Sequence, residues 1–509
     1  MSSIDEISPK LISSTVQLTL HDAQPSQADL LPPELWELIF RPLSAAELLP
    51  IRRTCRRWLD IVTNSPALLA KFSIRIEGSL VLNRTVDLSN VLPAAKVYIG
   101  GIRITELDSW WPGLAERLVA LTLDNCELTL ATLSAMLAQT SSLQKLKLNS
   151  ISSFESCELE EVNFRLDKLE KLAVGWVNYE GILEFCIKLC GPRLKTFHVH
   201  GILMEEQMER RIIQFMEAAQ DSLEYIALCP TGRLLEKIST LKRLKLKRIQ
   251  FGKCDFSTDQ LVEFCRTNPT IEYVQILELS LSSETLNVIG SHLPALRRLW
   301  VTCKQERTIV PTFLRHMKGL KFLFLYGTYY TDQTLDFTGY EAPFLEELSI
   351  FRIATVQSGL RQFLQKSRKI RYLTIENGKS TRWPDVFNMV EPLENLQELV
   401  LFFIEIDETN DESEKCPRKQ FDSLKSLTMS HCKIPNYILF KWIGQCSKLE
   451  ELWLTALDNV DDAVMLTILK GLPKLRVLKV AACDDSAVSA NVTKECCDRG
   501  IKLGYDIYA

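Results

Sequence analysis

The segment LKFLFL at residues 320–325, with its near copies LEELSI (345–350) and LEELWL (449–454), decides how this chain folds. In such a segment the fourth and sixth residues turn to one side of a short extended stretch, and the third, fifth and seventh turn to the other. The pattern Leu-x-x-Leu-x-Leu, with Ile, Val, Phe or Met sometimes substituting, begins at Leu118, Leu143, Leu169, Leu194, Leu223, Leu241, Ile271, Leu296, Leu320, Leu345, Ile370, Leu396, Leu424, Leu449 and Leu475. Between copies the chain returns at helical spacing, as in TDQLVEFCRTNP (258–269), SETLNVIGSHLP (283–294) and PNYILFKWIGQCSK (435–448), with apolar residues three to four apart behind a cap-like residue.

These fifteen copies have a mean spacing of about 25.5 residues, inside the 20 to 29 period of leucine-rich repeats. The spacing is irregular only from Leu223 through Leu241 to Ile271, where the intervals are 18 and 30. One unit cannot bury its own leucines, so neighbours must stack into a continuous core. The predicted fold is α/β: a leucine-rich-repeat solenoid of about 15 to 17 repeats, a horseshoe with parallel strands on its concave face. Two weaker copies, Leu69-x-x-Phe72-x-Ile74 and Ala94-x-x-Val97-x-Ile99, extend it upstream, and the tail IKLGYDIYA (501–509) reads as its terminal cap. Cys126, Cys432 and Cys483 each fall nine positions into a repeat, which resembles the cysteine-containing subclass.

Composition excludes several classes. With 24% charged and 46% hydrophobic residues the chain matches soluble globular proteins, and its formal charge of −4 supplies no global attraction to nucleic acid or anionic membrane. The longest stretch free of Asp, Glu, Lys and Arg, Leu128 to Gln144, is too short and too rich in Ser, Thr and Gln to span a bilayer. The N-terminus MSSIDEISPKLISS has no signal-peptide core, so a cytoplasmic or nuclear location is expected, and the odd set of 15 cysteines fits a reducing compartment without disulfides.

Chemistry-bearing motifs are absent: there is no GxxxxGK[ST] loop, HExxH helix, GxSxG elbow or paired CxxC knuckle. His198-Val199-His200 with Cys229 in the next repeat is the sharpest metal-like grouping, yet two exposed histidines on a binding face describe it better. No metal, cofactor or catalytic residue is expected. The stretch EIDETNDESE (405–414) reads as a solvated loop.

The positions opposite the leucines are candidates for recognition. In the early repeats they form a basic stripe: Lys145, Lys147, Lys171, His198, His200, Arg243, Lys245 and Lys247. In the six repeats from Ile271 to Leu396 eight of the 18 outward positions are aromatic, far above the chain's 8% content. They are Tyr273, Trp300, Phe322, Phe324, Tyr326, Phe351, Tyr372 and Phe402. Exposed aromatic clusters are common interface anchors, although neighbouring rings stacked on one another would produce the same list.

Residues 30–72 differ from the rest, reading as short amphipathic helices broken at Pro42 and Pro50, with Ser44 and Glu47 spaced as a capping box. The elements Leu31-Pro32-Pro33-Glu34-Leu35, Ile39-Phe40, Leu43-Ser44, Glu47-Leu48 and Cys55-Arg56-Arg57-Trp58 stand in the order and spacing of the F-box. The chain thus resembles the F-box/LRR family, substrate receptors of SCF-type ubiquitin ligases, departing at Pro50, where that family usually has a polar or basic residue. The expected domain order is a flexible leader at 1–28, an F-box at 29–72, a linker with degenerate repeats at 73–117, repeats over 118–483 and a cap at 484–509. The resemblance implies that Leu31, Pro32, Leu35, Ile39, Leu43, Leu48, Cys55 and Trp58 bind a Skp-type adaptor and through it a cullin-RING ligase. The concave face then holds a protein substrate, and no nucleic acid, membrane or catalytic side chain is involved. The other function compatible with these residues is a non-degradative scaffold or inhibitor that recruits the adaptor through its F-box.

Overall fold

The computed structural model describes residues 31–78, 80–83, 85, 94–152, 163–176, 180–201, 206–328, 333–376, 386, 389–404, 421–457, 460–481 and 488–504. The leader at 1–28, the acidic stretch at 405–414 and Cys483 lie outside them. The chain forms two units, one made of residues up to Ile74 with 91–96, the other of Arg75–Asn90 and Val97–Ala509.

In the first unit four helices follow one another: α1 Pro33–Phe40, α2 Ala45–Ile51, α3 Arg56–Asn64 and α4 Pro66–Leu69. Ser44 and Glu47 form the expected capping box, with the Ser44 amide donating to Glu47 Oε2 at 2.7 Å and the Glu47 amide to Ser44 Oγ at 3.4 Å. Pro50 is accommodated because α2 ends one residue later, at Ile51, so the amide it lacks falls in the final turn.

The second unit is a leucine-rich-repeat solenoid built on one parallel sheet, to which 18 strands contribute among the described residues. From Ala120–Asp124 to Lys502–Gly504 each strand pairs in parallel with the next, so a single register carries Leu299, Leu323, Leu348, Leu373, Leu399, Leu427, Leu452 and Leu478 in one buried row. Burial alternates along each strand, as at Phe322–Tyr326, where Leu323 and Leu325 are inside and the three rings are half-buried outside. Several returning helices start on side-chain caps that satisfy orphan amides: Thr129 accepts from Thr132 N at 3.0 Å, Ser282 from Thr285 N at 3.0 Å and Asp461 from Val464 N at 2.8 Å; Gln357–Lys366 and Asn436–Ile443 have none. A final helix, Ala490–Asp498, and the strand Lys502–Gly504 repeat the unit once more inside the segment read as a cap.

Seven strands of the sheet end in the same turn. Asn125, Ser150, Trp176, Arg352, Phe403, His431 and Ala456, each directly after a strand, have φ between 50° and 56°. The reward is a backbone bond to the next strand: Asn125 N donates to Asn149 O at 2.9 Å and His431 N to Thr455 O at 2.9 Å. The conformation costs a non-glycine residue energy, yet its amide is satisfied and its side chain projects along the rim. Trp176 is 61% exposed there and Phe403 43%. The buried cysteines add a similar tie, with Cys126 Sγ donating to Ile99 O at 3.3 Å and Cys432 Sγ to Leu401 O at 3.5 Å. Burial raises both thiols, Cys432 to about 11, so they stay protonated.

The structure corrects one register. The strand after Tyr225–Leu228 is Arg248–Phe251, aligned Arg248 with Tyr225 and Ile249 with Ile226. The copy therefore begins at Leu246 (LKRIQF), not Leu241 (LKRLKL), and the intervals become 23 and 25 rather than 18 and 30. The sequence LKRLKLKRIQF carries two overlapping versions of the motif. Pairing selects the second, because Lys247 N and Arg248 N both donate to Glu224 O just as Glu224 N and Tyr225 N donate to Lys195 O. Arg243, Lys245 and Lys247 consequently precede the strand instead of alternating along it.

Candidate functional site

The outward side of the sheet is dominated by a ladder of rings. Trp300 lies 4.3 Å from Phe324 between centroids, Phe324 stacks on Phe351 at 4.8 Å, and Phe351 lies 6.1 Å from Phe402. Tyr326 joins at 6.5 Å from Phe324 and 6.3 Å from Phe351. Parallel pairing produces this contact, since Trp300 aligns with Phe324, and Tyr326 with Phe351. The rings are half-buried because each covers its neighbour, leaving edges and parts of faces open along a continuous apolar strip. Phe322 lies under the Arg298 guanidinium, 3.9 Å from ring centroid to Cζ, and the Tyr273 hydroxyl donates to Gln275 Oε1 at 2.5 Å. Tyr372 is the most open of the eight, 39% exposed.

The ladder is bordered by charge whose sign changes along one row of the sheet. Register places Lys145, Lys171, Thr196, Tyr225, Arg248, Tyr273, Arg298, Phe322, Glu347, Tyr372, Glu398, Ser426 and Glu451 side by side on successive strands. Every charged residue of the row before Phe322 is cationic, and those from Glu347 to Glu451 are anionic, before the row ends on Val477 and Lys502. Burial raises the carboxyls of Glu347 and Glu398, and Glu451 raises that of Glu398 further. The acidic half does not stand out in the sequence, where Glu347, Glu398 and Glu451 lie about 50 positions apart, and Arg248 is found only with the register of its strand. Of the basic residues singled out, Arg243 instead pairs with Asp221 at 2.8 Å and Lys247 with Glu224 at 3.1 Å. Lys145 and Lys147 remain exposed on the strand Lys145–Asn149.

His198 and His200 stand 4.8 Å apart, and Trp176 packs edge-on to His200 at 6.3 Å. Gly175 makes the room, since a Cβ there would lie 2.1 Å from the His200 ring. Burial, aided by His200 and Lys147, lowers the His198 imidazole to about 4. An unfolded imidazole titrates near 6.5, so the unfolded chain takes up this proton first as pH falls. The contribution is intact above about pH 6.5 and lost progressively down to about pH 4. The thermal midpoint should therefore fall across that window, and His198→Gln should flatten the slope; a slope unchanged by the substitution would place the acid-sensitive group elsewhere. Among the described residues no group of three or more His, Cys, Asp or Glu is placed to hold a metal.

The helical unit has its own exposed apolar face. Trp36 and Phe40, four residues apart on α1, turn inward and pack around Trp58 of α3 at 4.9 and 5.5 Å. Helical spacing then leaves Leu35, Leu38 and Ile39 outside, 44%, 54% and 49% exposed. Lys71 donates to the carbonyls of Arg41 and Leu43 just beyond α1, and Arg57 donates to that of Leu31 just before it, tying both flanks.

Residues 28–75 match the family model of the F-box-like domain. The chain joins an F-box-like domain to leucine-rich repeats. Domains of the F-box kind bind protein partners, generally Skp1-type adaptors, and the repeats that follow are those of the solenoid described above. Among solved structures this F-box/LRR chain is similar to the TLR13-ssRNA13 complex, with 16% identity, a TM-score of 0.49 and 80% of its own length covered; it spans only 59% of that chain. It is also similar to an LRR protein of Leptospira interrogans (17% identity, TM-score 0.35, covering 77% of this chain and 91% of that one). An internalin of Listeria monocytogenes follows at 12% identity and TM-score 0.33, covering 78% and 89%. No curated protein matches it, and no helix among the described residues is long and apolar enough to cross a membrane.

Within the F-box the residues expected to meet the adaptor separate into two groups. Pro32, Leu35, Ile39 and Cys55 are exposed, and Leu31 and Leu43 are half-buried. Leu48 is not available: it is fully buried, because α2 turns it into the small core. Trp58 is half-buried, its ring occupied by Trp36 and Phe40. Leu38 was overlooked, although its place three residues after Leu35 and one before Ile39 is the signal that finds it.

Proposed function

We propose that this protein is the substrate-recognition subunit of an SCF-type ubiquitin ligase. The observation that carries the reading is the combination of an F-box-like domain, whose α1 presents Leu35, Leu38 and Ile39 to solvent, with a solenoid whose outward sheet face displays a continuous aromatic ladder. The F-box docks on the adaptor, and the sheet face holds a protein substrate. Ubiquitin transfer is then accelerated by proximity to a conjugating enzyme carried by the cullin, with no reacting side chain in this chain.

The test is capture and turnover. Proteins retained by a form lacking residues 29–72 should accumulate in cells without the receptor and be ubiquitinated only by the intact chain. Phe324→Ala should reduce their capture by about thirtyfold, since a central anchor contributes 2 kcal/mol or more, while Lys147→Glu should act less and lose its effect at high salt. Normal capture by a folded Phe324→Ala protein would mean that the rings only cover each other.

A further inference from the structure

The charge inversion along the sheet defines what kind of segment can lie on it. Glu347, Glu398 and Glu451 occupy one row with only Tyr372 and Ser426 between them, and none of the three forms an ion pair among the described residues. Like charges two strand spacings, about 10 Å, apart repel weakly, and the partial burial of Glu347 and Glu398 reduces the water that would screen them. Such a row is mildly unfavourable in the free chain and becomes favourable when a cation settles on it. The same strands enclose a depression of about 600 Å³, walled by Tyr372, Phe402 and Trp453 and floored in part by Glu398, Ser426 and Glu451. Aromatic faces beside carboxylates accept a guanidinium or ammonium by two mechanisms at once, ring quadrupole and charge-assisted hydrogen bonding. The protein already uses the first of these nearby: Lys479 Nζ lies 3.8 Å from the centroid of Trp453.

At the other end of the ladder Arg248 and Arg298 present the opposite charge in the same row. Six strand spacings separate Arg248 from Glu398, about 29 Å at roughly 4.8 Å each, which an extended segment of about nine residues covers. Between these poles lie only Tyr273, Arg298, Phe322, Glu347 and Tyr372, flanked by the apolar rings.

We propose that the outward sheet face docks an extended protein segment that is acidic at one end, apolar in the middle and basic at the other, with its lysine or arginine side chain in the depression between Tyr372 and Trp453. The proposal deepens the reading of this face as the substrate site and rests on it. The acidic end meets Arg248 and Arg298, the apolar middle lies on Trp300, Phe324 and Phe351, and reversing the charge at either end sets like charges against each other.

Two labelled synthetic peptides of identical composition test it by fluorescence anisotropy with the full chain. One has three acidic residues, a Leu/Trp centre and three lysines in that order; the other has the same residues with charges interleaved. The first should bind about tenfold more tightly, the effect of a single weak charge-assisted hydrogen bond. Glu398→Lys with Glu451→Lys should abolish that preference and improve binding of a peptide acidic at both ends. Glu398→Gln with Glu451→Gln, which keeps size and shape, should reduce the preference in the same direction if the lysine pair does not fold. Equal affinity for the two peptides, no binding of either, or a preference that survives the folded charge variants overturns the proposal. Peptide preference is read without the adaptor, so failure of F-box-dependent ubiquitination with this preference intact would remove the ligase reading and leave the docking surface standing.

Discussion

Replacing Leu35, Leu38 and Ile39 together by serine is expected to abolish capture of a Skp-type adaptor while leaving the helical content of the protein unchanged. These side chains form the outer face of α1 and are about half exposed, so their removal leaves no cavity. Each buries apolar area only when a partner covers it, and a fully covered Leu or Ile contributes roughly 1.5 to 3 kcal/mol. The loss of three should weaken the complex by several orders of magnitude. Leu48→Ala is the contrast: its side chain is fully buried in the F-box, so it should destabilise the helices and affect the adaptor only through their unfolding. Pull-down of purified adaptor, with circular dichroism on the same samples, separates the two. Undiminished capture by the triple variant would remove α1 as the contact surface.

The second large effect is in the solenoid. Leu348 and Leu427 are fully buried central leucines, in register with Leu323 and Leu373, and with Leu399 and Leu452. Alanine at either should lower stability by about 2 to 5 kcal/mol, since the stack cannot collapse into the cavity without breaking strand register. Because each repeat is held by its neighbours, urea unfolding should lose cooperativity around the substituted repeat, and protease sites should open first in the adjacent ones. Release of two independently stable halves by limited proteolysis of the unsubstituted protein would contradict a continuous stack.

The aromatic ladder shows where reading outward positions from the sequence succeeds and stops. That Trp300, Phe324 and Phe351 share a face follows from period-two alternation, and their presence on consecutive strands follows from the repeat. Their 4.3 and 4.8 Å contacts depend on rotamers that alternation does not specify. The same limit explains Trp58, whose position in the Cys-x-x-Trp ending was legible but whose ring turns toward Trp36 and Phe40. It also explains Leu38, since distinguishing the two faces of α1 requires knowing which one the other helices cover.

The repeat, its parallel strands, the buried leucine row and the separate helical segment at the start were all present in the order of the residues, because each follows from local periodicity and from the need of one unit to bury its apolar side against the next. The register through LKRLKLKRIQF was not, because two overlapping motifs satisfy the local pattern equally and only hydrogen bonds to Glu224 O choose between them. That choice moves Arg243, Lys245 and Lys247 off the strand and sets Arg248 on it. The division of the sheet face into a cationic and an anionic half likewise emerges only when residues about 25 positions apart are placed side by side, since charge acts through space and the sequence orders it along the chain.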